Sequence, residues 1–137
     1  MEGVIQLSFD SRKVIGYWRD EAEEDLKVAG HLLEKGDYSY SLFFGHLATE
    51  KILKAIYVLK KGEHAPFVHN LVRLATEAGI ELSEENKKDL IRITAFHLEA
   101  RYPDENRSFR EKCSKDFSEH ELAQIKVIYR WLKSMIP

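Results

Sequence analysis

The sequence predicts an all-α protein, an up-and-down four-helix bundle with one additional short helix. Its apolar residues recur every three or four positions over long stretches, which is the period of amphipathic helices. The 137 residues contain only three prolines and seven glycines, and Gly36, Gly62, Pro66, Gly79 and Pro103 fall between these stretches. A chain of this length is enough for one domain and not for two. We therefore expect one helical domain over residues 17–137, preceded by a tail of residues 1–16.

The first two helices are predicted to form an antiparallel hairpin. The first helix covers residues 17–35, because its apolar side chains share one face and Gly36 ends it. Asp37 is a favourable N-cap for the second, longer helix, which runs to Gly62. Since only Gly36 and Asp37 connect the two helices, the second helix must fold back along the first.

Two further helices are predicted between Pro66 and Pro103. A short helix follows Pro66 and ends at Gly79. Ser83 then caps the next helix. Because Pro103 disfavours the helical conformation in the residue before it, this helix is expected to end with Arg101 in its last turn.

The C-terminal part is predicted to contain one loop and one helix. Residues 103–117 are polar and lack helical periodicity, which indicates a loop long enough to have a function. Ser118 and Glu121 have the spacing of a capping box. The last helix is therefore expected to begin at Ser118.

Composition excludes several classes of protein. Lys and Arg total 21 against 23 Asp and Glu, so no global positive charge drives sequence-independent binding to nucleic acid. No apolar run approaches the ~20 residues of a membrane-spanning helix, so we expect no membrane association. The single cysteine, Cys113, can form no internal disulfide, which favours the reducing cytoplasm. The opening residues lack the features of a secretory signal, so the tail is expected to remain attached.

The sequence contains no complete motif for metal or phosphate chemistry. A di-iron helical bundle needs paired Glu-x-x-His sequences, and no glutamate here is followed three residues later by histidine. His46 and Glu50 are one helical turn apart, but they supply only two ligands. The glycine-rich sequences that bind phosphates are also absent. We therefore expect no metal and no cofactor.

Four short sequences stand out in order along the predicted helices. They are Ala22-Glu23-Glu24-Asp25-Leu26 in the first, Ala48-Thr49-Glu50-Lys51-Ile52-Leu53-Lys54-Ala55 in the second, His69-Asn70-Leu71 at the start of the third, and Ala100-Arg101-Tyr102-Pro103-Asp104 at the end of the fourth. Together they resemble the motifs of the HEPN domain family, the "higher eukaryotes and prokaryotes nucleotide-binding" domains. The resemblance covers roughly residues 17–137 and implies the same helical bundle that the periodicity predicts.

The resemblance also implies a function. Many HEPN proteins are metal-independent ribonucleases that act as homodimers, with an Arg-x(4–6)-His motif from each subunit in a shared cleft, and many pair with a minimal nucleotidyltransferase as toxin and antitoxin. Arg101 matches the arginine, but the positions where the histidine should follow hold Asn106, Arg107 and Ser108. We therefore expect nucleotide or RNA binding and a nucleotidyltransferase partner. The alternatives are a metal-independent endoribonuclease that uses Arg101 and a non-catalytic dimeric scaffold.

Residues around Arg101 form the predicted site. A guanidinium stabilises phosphate charge and an imidazole transfers protons; His97, one predicted turn before Arg101, is therefore the second catalytic candidate. Glu50 could orient Arg101 across the bundle, and His69 is expected to have a capping or core role. The remaining ligand-binding candidates are Tyr102, Asp104, Asn106 and Arg107.

A homodimer is expected for a second reason, which concerns aromatic side chains. Phe43, Tyr57 and Trp131 exceed what one thin bundle is expected to cover. Their exposure would favour burial between two copies of the chain.

Overall fold

The computed structural model describes residues 9–137, which contain six α-helices. They are α1 (Ser11–Glu34), α2 (Tyr38–Lys61), α3 (Leu71–Glu77), α4 (Glu84–Thr94), α5 (Pro103–Lys112) and α6 (Lys115–Lys133), with a 3-10 turn at Leu98–Ala100. This architecture confirms the predicted all-α bundle. Residues 1–8 of the predicted tail lie outside the described part of the chain. None of the described helices combines the length and the apolar character that crossing a membrane requires.

Helix α2 lies at the centre of the bundle. It contacts all five of the other helices, and 15 of its 24 residues are buried. The helix is therefore buried around most of its circumference, and polar side chains share this buried surface with apolar ones. The buried polar residues of α2 include His46, Glu50 and Lys54.

The predicted α1–α2 hairpin is present, but α1 begins at Ser11 rather than at residue 17. The side chain of Asp10 accepts a hydrogen bond from the backbone N–H of Lys13 at 3.2 Å, which caps the additional turns. Ile15 in these turns is buried with Ala55 of α2. The predicted start is wrong because the small contact patch around Ile15 anchors this segment to α2. A patch of this size is too small to be recognised from the periodicity of apolar residues in the sequence.

Helix α4 ends at Thr94, so the prediction that it continues to Arg101 is wrong. The chain leaves the helical path after Thr94, and both Phe96 and His97 are buried there. Phe96 stacks on Phe109 of α5, with ring centroids 5.5 Å apart. The chain therefore buries the rings of Phe96 and His97 where the sequence predicted a last helical turn.

Residues 103–112 form helix α5, so the predicted loop is wrong. Pro103 occupies the first helical position. A backbone N–H at this position has no partner within the helix, so proline, which lacks one, loses no hydrogen bond there. The side chain of Glu105 accepts a hydrogen bond from the backbone N–H of Tyr102 at 2.9 Å. Pro103, interpreted as the end of one helix, therefore starts another. Phe109 is the buried residue of this otherwise polar helix.

The predicted capping box at the start of the last helix is also wrong. Ser114 is the N-cap of α6, and its hydroxyl accepts from the backbone N–H of Phe117 at 3.1 Å. Ser118 is buried in the first turn. Glu121 binds Arg92 of α4, with Nε and Oε1 2.9 Å apart.

The aromatic residues expected to be exposed are covered within one chain. Phe43 is buried, and Tyr57 and Trp131 are partly buried against the same core. These three side chains therefore form no exposed aromatic face, and that argument for a homodimer is wrong.

Gly45 lies where α2 packs closely against α6. A Cβ atom at this position would be 2.7 Å from Cδ1 of Ile125, which is fully buried. Gly45→Val should therefore lower the free energy of unfolding by about 1 to 3 kcal/mol through overpacking, measured by urea denaturation. Gly30→Val on α1 is the matched control, because nothing lies within 4 Å of a Cβ there. Equal effects at the two positions would contradict this account of the packing.

Candidate functional sites

Three histidines and one glutamate converge beside α2. His46 and Glu50 lie one turn apart on α2, His69 lies on the α2–α3 connection, and His97 follows the end of α4. One potential ligand atom from each of the four lies within 4.8 Å of the others. We refer to His46, Glu50, His69 and His97 as the histidine cluster.

Glu50 is the shared partner in the histidine cluster. Its Oε1 lies 3.2 Å from Nε2 of His46 and 3.0 Å from Nδ1 of His69. Its Oε2 lies 3.0 Å from Nζ of Lys54. Burial by itself would raise the pKa of Glu50, but the hydrogen bonds from His46, His69 and Lys54 outweigh it and lower the pKa to about 2. Glu50 is therefore a carboxylate across the physiological pH range.

The rings of the histidine cluster also contact one another. The His97 centroid lies 4.8 Å from that of His46 and 4.3 Å from that of His69. Burial, followed by the charges of these two neighbours, lowers the pKa of His97. On the other side of the cluster, Nδ1 of His46 lies 3.2 Å from the carbonyl oxygen of Ile93.

A second site is a cleft of about 560 Å³ beside the start of α2 and one face of α5. Its walls combine aromatic, polar and charged side chains from Ser39, Tyr40, Phe43, Leu98, Glu99, Arg101, Asn106 and Arg110. We refer to it as the Arg101 cleft. With two guanidinium groups against one carboxylate, its formal charge is positive although the whole chain is slightly acidic.

The guanidinium of Arg101 is held in place by its neighbours. It donates a hydrogen bond to the carbonyl oxygen of Ala95 and lies over the ring of Phe109, 4.7 Å from the centroid. Asn106 is also fixed, because its Nδ2 donates to the carbonyl oxygen of Leu98 at 3.0 Å. Both residues therefore attach α5 to the segment that follows α4, and both line the same cleft.

The structure separates the predicted site residues into two groups. Arg101 and Asn106 line the cleft, whereas Glu50 and His97 belong to the histidine cluster. Glu50 binds Lys54 and two histidines rather than Arg101, so the predicted orienting contact is wrong. His97 and Arg101 do not share a helix face, because α4 ends before either residue. Exposed candidates outside the lining of the cleft are Tyr102, Asp104 and Arg107.

Sequence reasoning missed how residues from separate segments meet. His69 and His97 lie on two connections, whose paths no periodicity reveals. Tyr40 and Arg110 reach the Arg101 cleft from α2 and α5. The sequence does contain one signal for the cleft, which is the basic character of the segment after Arg101. Periodicity alone assigns this segment to a loop.

The fold and the two sites define a small helical-bundle protein with a largely buried histidine cluster and a charged cleft. The sequence pattern of the HEPN domain matches residues 15–135, so this chain belongs to the HEPN domain family. A similar solved structure, the crystal structure of TT1696 from Thermus thermophilus, has a TM-score of 0.72 at 20% identity and covers 88% of this chain and 96% of that one. At this identity the similarity shows a common fold. No curated protein matches the chain.

Glu50→Gln should lower the free energy of unfolding by about 3 kcal/mol at pH 7 in metal-free buffer, because it removes the charge that binds two imidazoles and Lys54. The pKa of Glu50 is about 2 in the folded chain against an ordinary value of 4.5, so this contribution is present above pH 4.5. It is lost as the pH falls toward the folded value. Urea denaturation of both proteins over this pH range measures the difference.

Glu77→Gln is the matched control for this measurement. Glu77 also pairs with a cation one helical turn away, with its Oε2 2.7 Å from Nε of Arg73, but Arg73 is exposed and Glu77 is partly exposed. Its loss should cost less than about 1 kcal/mol. A difference between wild type and Glu50→Gln that stays constant from neutral pH to about pH 3 would contradict the role of Glu50.

Proposed function

We propose that this HEPN protein binds a nucleoside phosphate, either free or within single-stranded RNA, in the Arg101 cleft. The observation that carries the proposal is the meeting of two guanidinium groups and an aromatic ring in one cleft of about 560 Å³. This volume lies within the range of roughly 300 to 1,000 Å³ that is typical of small-molecule sites.

Each part of a nucleotide has a suitable partner in the cleft. The planar guanidinium of Arg101 is already oriented by Ala95 and Phe109, so little side-chain entropy is lost when a phosphate binds its remaining N–H groups. Arg110 adds a second positive charge. The ring of Tyr40 is half-exposed and offers a surface for base stacking. The carboxylate of Glu99 can accept hydrogen bonds from ribose hydroxyls.

The chemistry of Asn106 favours binding over cleavage. Asn106 stands at a position where the Arg-x(4–6)-His motif of the ribonucleases would have its histidine. An amide does not exchange a proton near neutral pH, and the Nδ2 of Asn106 already donates to the carbonyl of Leu98. The proposed function is therefore ligand binding without general acid–base catalysis from this position.

We propose in addition that the chain forms a homodimer and binds a minimal nucleotidyltransferase in the cytoplasm. Membership of the HEPN family supports both proposed interactions, since many members act as dimers and many are paired with a minimal nucleotidyltransferase. Tyr40 at the cleft and the neighbouring Tyr102 are 50% and 77% exposed, so aromatic surface is available near Arg101. Aromatic residues are enriched in protein interfaces.

Arg101→Ala should weaken binding of AMP and of a short single-stranded oligoribonucleotide by about one to two orders of magnitude, because it removes a charge-assisted bidentate contact. Arg110→Ala should weaken binding less, since its side chain is exposed and loses more entropy when ordered. Isothermal titration measures both affinities, and circular dichroism verifies that each variant remains folded.

Arg107→Ala is the matched control for Arg110→Ala. Arg107 lies on the same helix and is exposed, but it does not line the cleft. Its loss should change AMP affinity by less than about twofold, since an exposed charge that does not contact the ligand is largely screened at physiological salt. Equal losses for Arg107→Ala and Arg110→Ala would indicate non-specific charge attraction and would contradict a site in the cleft.

Co-expression with a minimal nucleotidyltransferase encoded beside this gene should yield a complex that survives gel filtration. Light scattering of the isolated chain should give twice its mass of 16.0 kDa, which is the expected homodimer. A monomer at micromolar concentration would contradict the dimer, and separate elution of the two proteins would contradict the partnership.

A further inference from the structure

We propose that the histidine cluster is a structural zinc site, with His46, Glu50, His69 and His97 as its four ligands. The inference is independent of nucleotide binding in the Arg101 cleft. It rests on the type, spacing and orientation of the side chains that surround one point beside α2.

The donor set and its spacing fit a zinc ion. Zinc in proteins is bound by imidazole nitrogens and carboxylate oxygens in a tetrahedral arrangement. Two donors that bind zinc at about 2.0 to 2.1 Å with a tetrahedral angle lie about 3.3 Å apart. Oε1 of Glu50 lies 3.2 Å from Nε2 of His46 and 3.0 Å from Nδ1 of His69. The remaining ligand atoms all lie within 4.8 Å of one another, so binding of an ion would draw them closer together.

His46 is oriented as a metal ligand would be. Its Nδ1 faces the carbonyl oxygen of Ile93, which can only accept, so this nitrogen must carry a hydrogen. In the neutral ring the lone pair is then on Nε2, the nitrogen that faces the cluster. A backbone carbonyl that fixes the tautomer of a ligating histidine is a frequent feature of zinc sites.

Lys54 and His69 determine how a metal would enter and how tightly it would bind. Lys54 binds Oε2 of Glu50, which leaves Oε1 directed at the histidines, but its positive charge also repels a cation. The side chain of His69 is 56% exposed, so the cluster opens to solvent on that side. We therefore expect zinc to have direct access and to bind more weakly than in a site without a neighbouring ammonium group.

The bound ion would connect three segments of the chain. His46 and Glu50 belong to α2, His69 to the α2–α3 connection, and His97 to the segment after α4. All four tetrahedral positions would be filled by protein atoms, with none left for a water molecule or substrate. This is the arrangement of structural rather than catalytic zinc sites.

The test uses the whole chain after dialysis against a chelator. Addition of Zn²⁺ should give one ion per chain by native mass spectrometry and raise the melting temperature by several degrees. Co²⁺ in place of Zn²⁺ should give the visible absorption of a tetrahedral complex. His69→Ala removes one exposed ligand without opening the core, and it should weaken Zn²⁺ binding at least tenfold and alter the Co²⁺ spectrum, because a water molecule would replace the imidazole.

His120→Ala is the matched control, because His120 is an exposed histidine on α6 outside the cluster. It should retain the affinity and the Co²⁺ spectrum of the wild type. Lys54→Met should bind Zn²⁺ more tightly, since it removes the repelling charge and keeps all four ligands. Absence of Zn²⁺ binding by the wild type, or equal affinities in wild type and His69→Ala, would overturn the proposal.

Discussion

Helix α2 is enclosed by the other five helices, and every polar group that it carries into the interior must be paired there. A buried carboxylate without partners would be strongly unfavourable. Glu50 meets this requirement with His46 and Lys54 from its own helix and His69 from the following connection. The pairing requirement of one buried carboxylate thus holds a connecting segment against the central helix.

Burial of aromatic and imidazole rings accompanies the departure of the second half of the chain from a regular bundle. His97 contacts the rings of His46 and His69, and Phe96 beside it stacks on Phe109 of α5. A continuous helix through this segment would direct consecutive residues to different faces, so α4 ends at Thr94 instead. The chain then delivers Arg101 to the cleft, where Phe109 supports its guanidinium. The buried cluster and the open cleft therefore depend on one irregular segment.

Phe43 connects the two sites physically. It lines the Arg101 cleft, and its ring packs edge-on against His97 with centroids 5.4 Å apart. Membership of the HEPN family accounts for the bundle, but chemistry depends on the particular side chains that the bundle presents. Here Arg101 and Asn106 line the same cleft, where a guanidinium is suited to bind a phosphate and an amide is unsuited to transfer a proton near neutral pH.

The sequence by itself determined the helical class, the α1–α2 hairpin and the family. Helical periodicity is local, and the two-residue connection at Gly36 and Asp37 leaves no other geometry. Only the tertiary structure decided the end of α4 and the start of α5, because Pro103 is equally compatible with ending one helix and beginning another. The tertiary structure also decided the partners of Glu50. From the sequence, a charged residue on a helix is expected to be exposed, and only the packing of the other segments buries Glu50. Contacts between distant segments are not encoded in any local pattern, and both sites are built from such contacts.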